Sequence, residues 1–236
     1  CSLFLLHLFC NAQQASKPLT RVLLLFDCSK SMVADYNGKP RMEVAKQLLY
    51  QLVDSLQKAE HIELALRMYG SQKQYPPGDC KDTKLAVPFS KANGAKIKNT
   101  VKSISPTGIT PIAHSLNKSA DDFPGNQGIN MIILITDGIE ECDGDPCEAS
   151  KNLQKKGIVL QPFIIGIGLD AEKAKAFDCV GSYFDITNNE SFNNILNIII
   201  YQTMNPTTVQ INLLDVSQRP TETDVNMTFY NQHTGN

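Results

Sequence analysis

The sequence predicts an α/β chain: a three-layer α/β/α architecture on a doubly wound, mostly parallel sheet. Three observations carry that expectation. Continuous apolar runs recur at residues 21–26, 129–136 and 158–167, the pattern of strands covered on both faces. Amphipathic stretches of helical period lie between them. Strand and helix signals alternate up to residue 204, the order that builds a parallel sheet with helices on each side.

Taken in order, residues 1–12 come first. Leu3, Phe4, Leu5, Leu6, Leu8 and Phe9 form an apolar run too short to span a bilayer, and Cys10, Asn11 and Ala12 follow it. This reads as a partial signal peptide, lacking its basic start, cleaved after Ala12 or after Ala15. A buried N-terminal apolar segment is the alternative. The bulky Phe9 disfavours lipid modification of Cys10.

Residues 21–26, between Thr20 and Asp27, form the first strand. From 42 to 56, Ala45, Leu48, Leu49, Leu52, Val53 and Leu56 recur at three- and four-residue spacing, giving a helix with one apolar face. Residues 61–69 and 84–89 read as strands, joined by a loop with Pro76, Pro77 and Gly78 and short enough for an antiparallel pair. Thr110-Pro111 has the form of an N-cap followed by proline at the first helical position. The strand 129–136 follows. Asp145-Pro146 then repeats the cap signal before a helix over 147–156 that Gly157 ends. The run 158–167, a small strand at 182–185 and a helix over 190–204 complete a domain spanning 19–204.

Composition changes at Asn205-Pro206. Beyond it Val209, Ile211 and Leu213, then Val225, Met227 and Phe229, alternate with polar residues around a turn region at 218–223. So short a stretch cannot bury a core. Residues 205–236 are therefore read as a linker and the start of a truncated, β-sandwich-like segment.

The 236 residues are 42% apolar and 19% charged, ordinary for a packed protein rather than a disordered one. A net charge of -2, with no Lys/Arg cluster, excludes nucleic acid as the main partner. No later segment is apolar for long enough to be transmembrane. Loss of the signal would leave Cys28, Cys80, Cys142, Cys147 and Cys179. Cys28 follows an apolar strand and is the natural buried free thiol. The other four sit in polar, loop-like surroundings and are disulfide candidates once the chain is exported, with three connectivities open. No C-x-x-C pair or nearby His supports zinc instead.

The chemistry concentrates after the strands. Asp27-Cys28-Ser29-Lys30-Ser31 directly follows the first one, and Asp137-Gly138 follows the strand ending at Thr136. Doubly wound sheets collect ligands beyond their carboxyl edge, where strand order reverses. The turn carries three oxygen-bearing side chains, and Thr110 adds a further hydroxyl. Such hard ligands suit Mg²⁺, Mn²⁺ or Ca²⁺.

Asp27-x-Ser29-x-Ser31, then Thr110, then Asp137-Gly138 resembles the metal-ion-dependent adhesion site (MIDAS) of von Willebrand factor type A (vWA) domains, over residues 21–204. The resemblance implies a vWA, Rossmann-like fold and an Mg²⁺ ion (or Mn²⁺ or Ca²⁺). The hydroxyls of Ser29, Ser31 and Thr110 would coordinate it, and Asp27 and Asp137 would bind it directly or through water. An open coordination position would take a carboxylate from a protein ligand. Tyr69-Gly70-Ser71, the run 136–142 (TDGIEEC) and Gly144-Asp145-Pro146-Cys147 are similar to bacterial exported members. Lys30 departs from the pattern, where glycine is frequent, and Cys28 is an unusual neighbour.

The expected function is thus an exported binding module (secreted, periplasmic or on the cell surface) and not an enzyme. One alternative is a mainly structural domain of a surface protein. Another is a metal-dependent hydrolase or phosphotransferase with Asp27 as nucleophile. A phosphoaspartate enzyme of the haloacid dehalogenase type would want a second Asp where Ser29 stands, and no Ser/His/Asp or Cys/His arrangement is evident.

Weaker signals have plainer readings. The acidic run 137–148 is a solvated loop with Asp145 as a helix cap, or a second calcium site whose spacing does not match an EF-hand. His114, four residues after Thr110, is a helix-surface side chain or a base near the metal. Gly166-x-Gly168 is turn geometry. The sequons at Asn117, Asn189 and Asn226 matter only in a eukaryotic secretory pathway.

Overall fold

The computed structural model describes residues 17–125, 127–156, 163–169, 171–186 and 189–204. The expectations for the signal region, for Gly157 and residues 158–162, and for 205–236 lie outside the described residues.

The chain opens with β1 (Thr20–Asp27) and a two-residue hairpin, β2 (Asp35–Tyr36) and β3 (Lys39–Pro40), that feeds α1 (Arg41–Leu56). Then come β4 (Ile62–Tyr69), β5 (Thr83–Ser90), α2 (Gly94–Lys102) and α3 (Ile112–Ser119). The second half runs β6 (Ile129–Thr136), α4 (Pro146–Lys155), β7 (Phe163–Ile167), α5 (Ala171–Ala174), β8 (Ser182–Ile186) and α6 (Asn189–Met204).

The main sheet has the order β5-β4-β1-β6-β7-β8. All neighbours are parallel except β4 and β5, which pair antiparallel as the short Pro-Pro-Gly loop predicts. Winding runs from β1 toward β5 first, then restarts on the other side at β6. The switch point therefore lies between the carboxyl ends of β1 and β6, where ligands gather in such sheets.

The uninterrupted apolar run of β1 is explained by its two covered faces. Val22, Leu24 and Phe26 face a core shared with Leu48, Leu49 and Leu52 of α1 and Ile195 and Ile199 of α6. Leu23 and Leu25 face the opposite core, with Ile112 and Leu116 of α3 and Ala149 and Leu153 of α4. Alternation across the pleat supplies both layers from one strand.

The N-cap expectation holds at one helix and fails at another. Asp145 caps α4, accepting from Cys147 N at 2.8 Å and Glu148 N at 3.2 Å, with Pro146 at the first helical position. Thr110 does not cap α3. That helix starts at Ile112, and its amide at Ala113 donates instead to Glu140 Oε2 at 2.6 Å. The reason is tertiary: Glu141 Oε2 accepts from Thr110 N at 3.0 Å and Glu141 N donates to Thr110 O at 3.2 Å, so Glu141 holds the main chain of Thr110, whose carbonyl also accepts from Ile112 N at 3.2 Å.

No described helix is long and apolar enough to cross a membrane. The four loop cysteines pair as Cys80–Cys142 and Cys147–Cys179, which selects one of the three connectivities. Cys28 is free and buried, as its place after an apolar strand predicts.

Candidate metal centre

Three loops converge at the switch point. The turn after β1 is shaped by its own carboxylate: Asp27 Oδ1 accepts from Ser29 N at 2.7 Å, the hydrogen bond of an Asx-turn. Asp27 Oδ2 accepts from Thr136 Oγ1 at 2.7 Å, which ties the turn to the end of β6. Ser31 Oγ donates to Asp137 Oδ1 at 2.7 Å, and the Ser29 and Ser31 hydroxyl oxygens lie 3.0 Å apart. Ser31 has a single proton and gives it to Asp137, so Ser29 is the donor in the serine pair.

Thr110 enters from the third loop. A Cβ placed on Gly138 would lie 3.7 Å from Thr110 Oγ1 and 3.8 Å from Ser31 Oγ. The hydroxyls of Thr110 and Ser31 therefore flank the backbone that follows Asp137. Asp27, Ser29, Ser31, Thr110 and Asp137 are thus all brought to one place.

Backbone contacts hold the loops in register. Cys28 N donates to Tyr69 O at 3.0 Å, Lys30 N to Gly108 O at 2.8 Å and Gly108 N to Gly70 O at 3.0 Å. Gly70 has φ +64, and a Cβ there would sit 2.6 Å from Ile109 O. Only glycine supplies both that backbone conformation and that close approach.

Charge at the centre is unbalanced. Asp27 is wholly buried and receives one N–H and one O–H; among the described residues it has no cationic partner. Burial, then the nearby charge of Asp137, pushes Asp27 up to about 6, while Ser29 and Thr136 pull it back. Burial also raises Asp137, and hydrogen bonds from Ser31 and Arg41 oppose the rise. Two buried carboxylates beside three hydroxyls form an all-oxygen set that fits a hard divalent cation better than a soft one. Among the described residues no group of three or more His, Cys, Asp or Glu side chains is placed to hold a metal, so hydroxyls dominate this set.

Four contributors escaped the sequence reading. Thr136 positions Asp27, and Arg41 Nη1 donates to Asp137 Oδ2 at 3.0 Å. Glu140 and Glu141 brace the Thr110 loop through the contacts given above. The sequence signal for Thr136 was its place beside Asp137; for Arg41 there was none.

The remaining candidates are placed as follows. Glu140, whose second oxygen accepts from Cys142 N at 2.9 Å, and Asp145 satisfy backbone amides, so the acidic run is a braced loop. His114 on α3 is half-buried, and burial followed by Lys118, Lys81 and Arg67 lowers its pKa. Lys30 extends an exposed side chain. Of Gly166-x-Gly168, Gly168 with φ +68 is turn geometry as expected, whereas Gly166 lies within β7, paired with Thr136 and Asp185.

Comparison with known proteins gives the following. A family model described as the von Willebrand factor type A domain matches residues 22–199. Two Bacillus subtilis (strain 168) proteins, YwmD and YwmC, are each 30% identical, over 159 and 156 residues. The matches cover 65% and 64% of this chain and 70% and 68% of theirs. Among solved structures, the pilus adhesin SpaC from Lactobacillus rhamnosus GG superposes with a TM-score of 0.66 at 17% identity, covering 81% of this chain and 31% of that chain. This chain thus spans less than a third of SpaC. The vWF domain of the type V pili tip protein Mfa5 from Porphyromonas gingivalis gives 0.63 at 12% identity, covering 83% and 99%. These structural likenesses concern the fold.

Proposed function

The chain belongs to the von Willebrand factor type A domain family, and from that premise we propose that it is an exported module which docks a protein partner through a divalent cation. Asp27, Ser29, Ser31, Thr110 and Asp137 would hold that cation: Mg²⁺, with Mn²⁺ or Ca²⁺ as substitutes. The observation that carries the reading is the pair of buried carboxylates, Asp27 and Asp137, meeting three hydroxyls at the switch point.

When bound, the cation supplies a Lewis-acidic position that a partner's carboxylate can occupy. The protein's own residues do the rest. Asp27 orders the turn that presents Ser29 and Ser31. Thr136 holds Asp27, and Glu141 holds the main chain of Thr110. Ser31 is exposed, so the centre opens to solvent at this residue. An enzymatic role for Asp27 as nucleophile is disfavoured by its complete burial and by the occupation of both its oxygens.

Two disulfides support an oxidising, exported setting. The pilus adhesin and the pili tip protein that share the fold support placing the module at a surface, in an adhesive role.

The test is calorimetric titration of Mg²⁺, Mn²⁺ and Ca²⁺ into the purified chain and into Asp27→Ala. One saturable site that disappears in a folded variant is the expected result. Capture of a partner in the presence of that metal, lost on chelation, would then establish docking. Absence of cation binding by the parent chain would leave a structural scaffold as the better reading.

A further inference from the structure

We infer that Arg41 tunes the centre: its guanidinium weakens cation binding and strengthens the bound cation's hold on a partner's carboxylate. The inference rests on the metal reading above.

Arg41 is the first residue of α1 and is anchored through its own amide, which donates to Ala34 O at 2.9 Å. Its Nη1 reaches Asp137 Oδ2 at 3.0 Å, and its Nη2 donates to Gly168 O at 3.4 Å. The Asp137 side chain is fully buried and that of Arg41 is 22% exposed. Ser31 takes the other Asp137 oxygen, so Arg41 and Ser31 share this carboxylate between them.

The hairpin closes over the pair. A Cβ on Gly168 would meet the Tyr36 ring at 2.8 Å and Arg41 Nη2 at 3.4 Å. Tyr36, Gly168 and the guanidinium are therefore packed together, and Tyr36 donates its hydroxyl to Ile186 O. Arg41 Nε is buried and has no hydrogen-bond partner among the described residues. An orphaned donor is costly. Charge pairing with Asp137, rather than full hydrogen-bond satisfaction, is what holds the group here.

The consequence follows from counting charges. Asp27 and Asp137 contribute two negative charges, and the Arg41 guanidinium returns one positive charge. A divalent cation bound there leaves the centre with a surplus positive charge. Without Arg41 the same cation is neutralised by the two aspartates. At short range and reduced dielectric, one charge matters in both directions. It repels the incoming cation, and it leaves the bound cation better able to attract a carboxylate.

The experiment uses the full chain, Arg41→Gln and Arg41→Lys, with Mn²⁺ as the cation and acetate as the carboxylate. Free Mn²⁺ is counted by electron paramagnetic resonance, and acetate binding is read from the Mn²⁺-induced relaxation of its methyl protons. Arg41→Gln is expected to bind Mn²⁺ about tenfold more tightly and to hold acetate about tenfold more weakly at saturating Mn²⁺. Arg41→Lys keeps the charge, and because only Nη1 contacts the carboxylate it should stay close to the parent in both measurements. Arg41→Met, which retains the apolar stem, is the second neutral variant if the glutamine variant does not fold. Neutral variants that fold by near-ultraviolet circular dichroism yet bind Mn²⁺ equally or less tightly would overturn the role of Arg41. Binding of Mn²⁺ by neither the parent nor the neutral variants would overturn the metal reading, and this inference with it.

Discussion

Ser31 donates its hydroxyl to Asp137 Oδ1 at 2.7 Å although 106 positions separate them in the chain. One hydrogen bond thus joins the turn after β1 to the turn after β6 across the sheet's switch point. Ser31 also lies 3.0 Å from the Ser29 hydroxyl, so it links the serine pair to the second carboxylate. Because Ser31 is exposed, its loss should cost folding only about 1 kcal/mol. On the proposed metal reading, its loss removes both a ligand and the group that orients Asp137. Ser31→Ala should therefore unfold in urea almost as the parent does, while calorimetry shows Mg²⁺ affinity reduced by about tenfold or more. A stability loss matched by no loss of affinity would remove Ser31 from the centre.

The acidity of Asp27 sets an unusual pH dependence. Its folded value of about 6 lies above the ordinary 3.8, chiefly through burial and then through Asp137. Between those values the folded chain keeps a proton that the unfolded chain has released. Stability contributed by Asp27 is therefore present below about pH 4 and is lost as pH rises through about 6, a deficit of at most roughly 3 kcal/mol at neutral pH. In chelator, the parent should gain stability relative to Asp27→Asn as the pH falls from 7 to 5. A bound cation needs the carboxylate ionised, so Mg²⁺ affinity should fall over the same interval. Urea unfolding with and without Mg²⁺ measures both trends. A flat difference between parent and variant would mean that Asp27 is not raised.

Glu141 holds the main chain of Thr110, and Glu140 holds the start of the helix that follows it. Glu140 accepts from Ala113 N at 2.6 Å and Cys142 N at 2.9 Å, and Glu141 accepts from Thr110 N at 3.0 Å. Glu140 is half-buried and caps α3, so Glu140→Ala should cost about 1–2 kcal/mol. Glu141 is exposed, and its replacement by Ala should cost less. Both variants should bind Mg²⁺ severalfold more weakly, because each frees the Thr110 loop. Unchanged affinity in both would show that Thr110 is held by other contacts.

These two glutamates also mark where sequence reading stops. The strands at 21–26 and 129–136 were legible because burial on both faces leaves an unbroken apolar run. Asp27, Ser29, Ser31 and Asp137 were legible because each follows such a run directly, at the edge where a doubly wound sheet gathers ligands. The N-cap at Asp145 is local chemistry and was read correctly. At Thr110 the same Thr-Pro signal misled, because Glu141 engages the main chain from 31 positions away. The acidic run looked solvated for a similar reason: carboxylates that bind distant amides have no local signature. Arg41, one residue before the helix read over 42–56, carried no signal, since its partner Asp137 is 96 positions away. α2 was missed because only Ile97 and Val101 give its nine residues an apolar face, apart from Gly94 at its start. Cysteine pairing depends on where loops land, which spacing does not encode.

The two disulfides separate stability from binding. Cys80–Cys142 joins residues 62 apart, and Cys147–Cys179 joins residues 32 apart. Closing either loop restricts the unfolded chain, and removing either bridge should cost about 2–4 kcal/mol, with loop length making only a small difference. Their neighbourhoods differ more. Cys142 follows Glu140 and Glu141 directly, and its own amide donates to Glu140. Cys80 lies two residues after Gly78, where an added Cβ would sit 3.1 Å from the Ile109 side chain, next to Thr110. The first bridge therefore secures the segment that holds the main chain of Thr110. The second ties the opening turn of α4 to the segment before β8 and touches none of the Thr110 contacts. Cys80→Ser with Cys142→Ser should thus lose both stability and severalfold Mg²⁺ affinity. Cys147→Ser with Cys179→Ser should lose comparable stability and keep its affinity. Urea unfolding and calorimetry on the two paired variants give the comparison. Equal affinities in both would mean that the glutamate contacts hold Thr110 without the bridge, and equal losses would mean that affinity merely follows global stability.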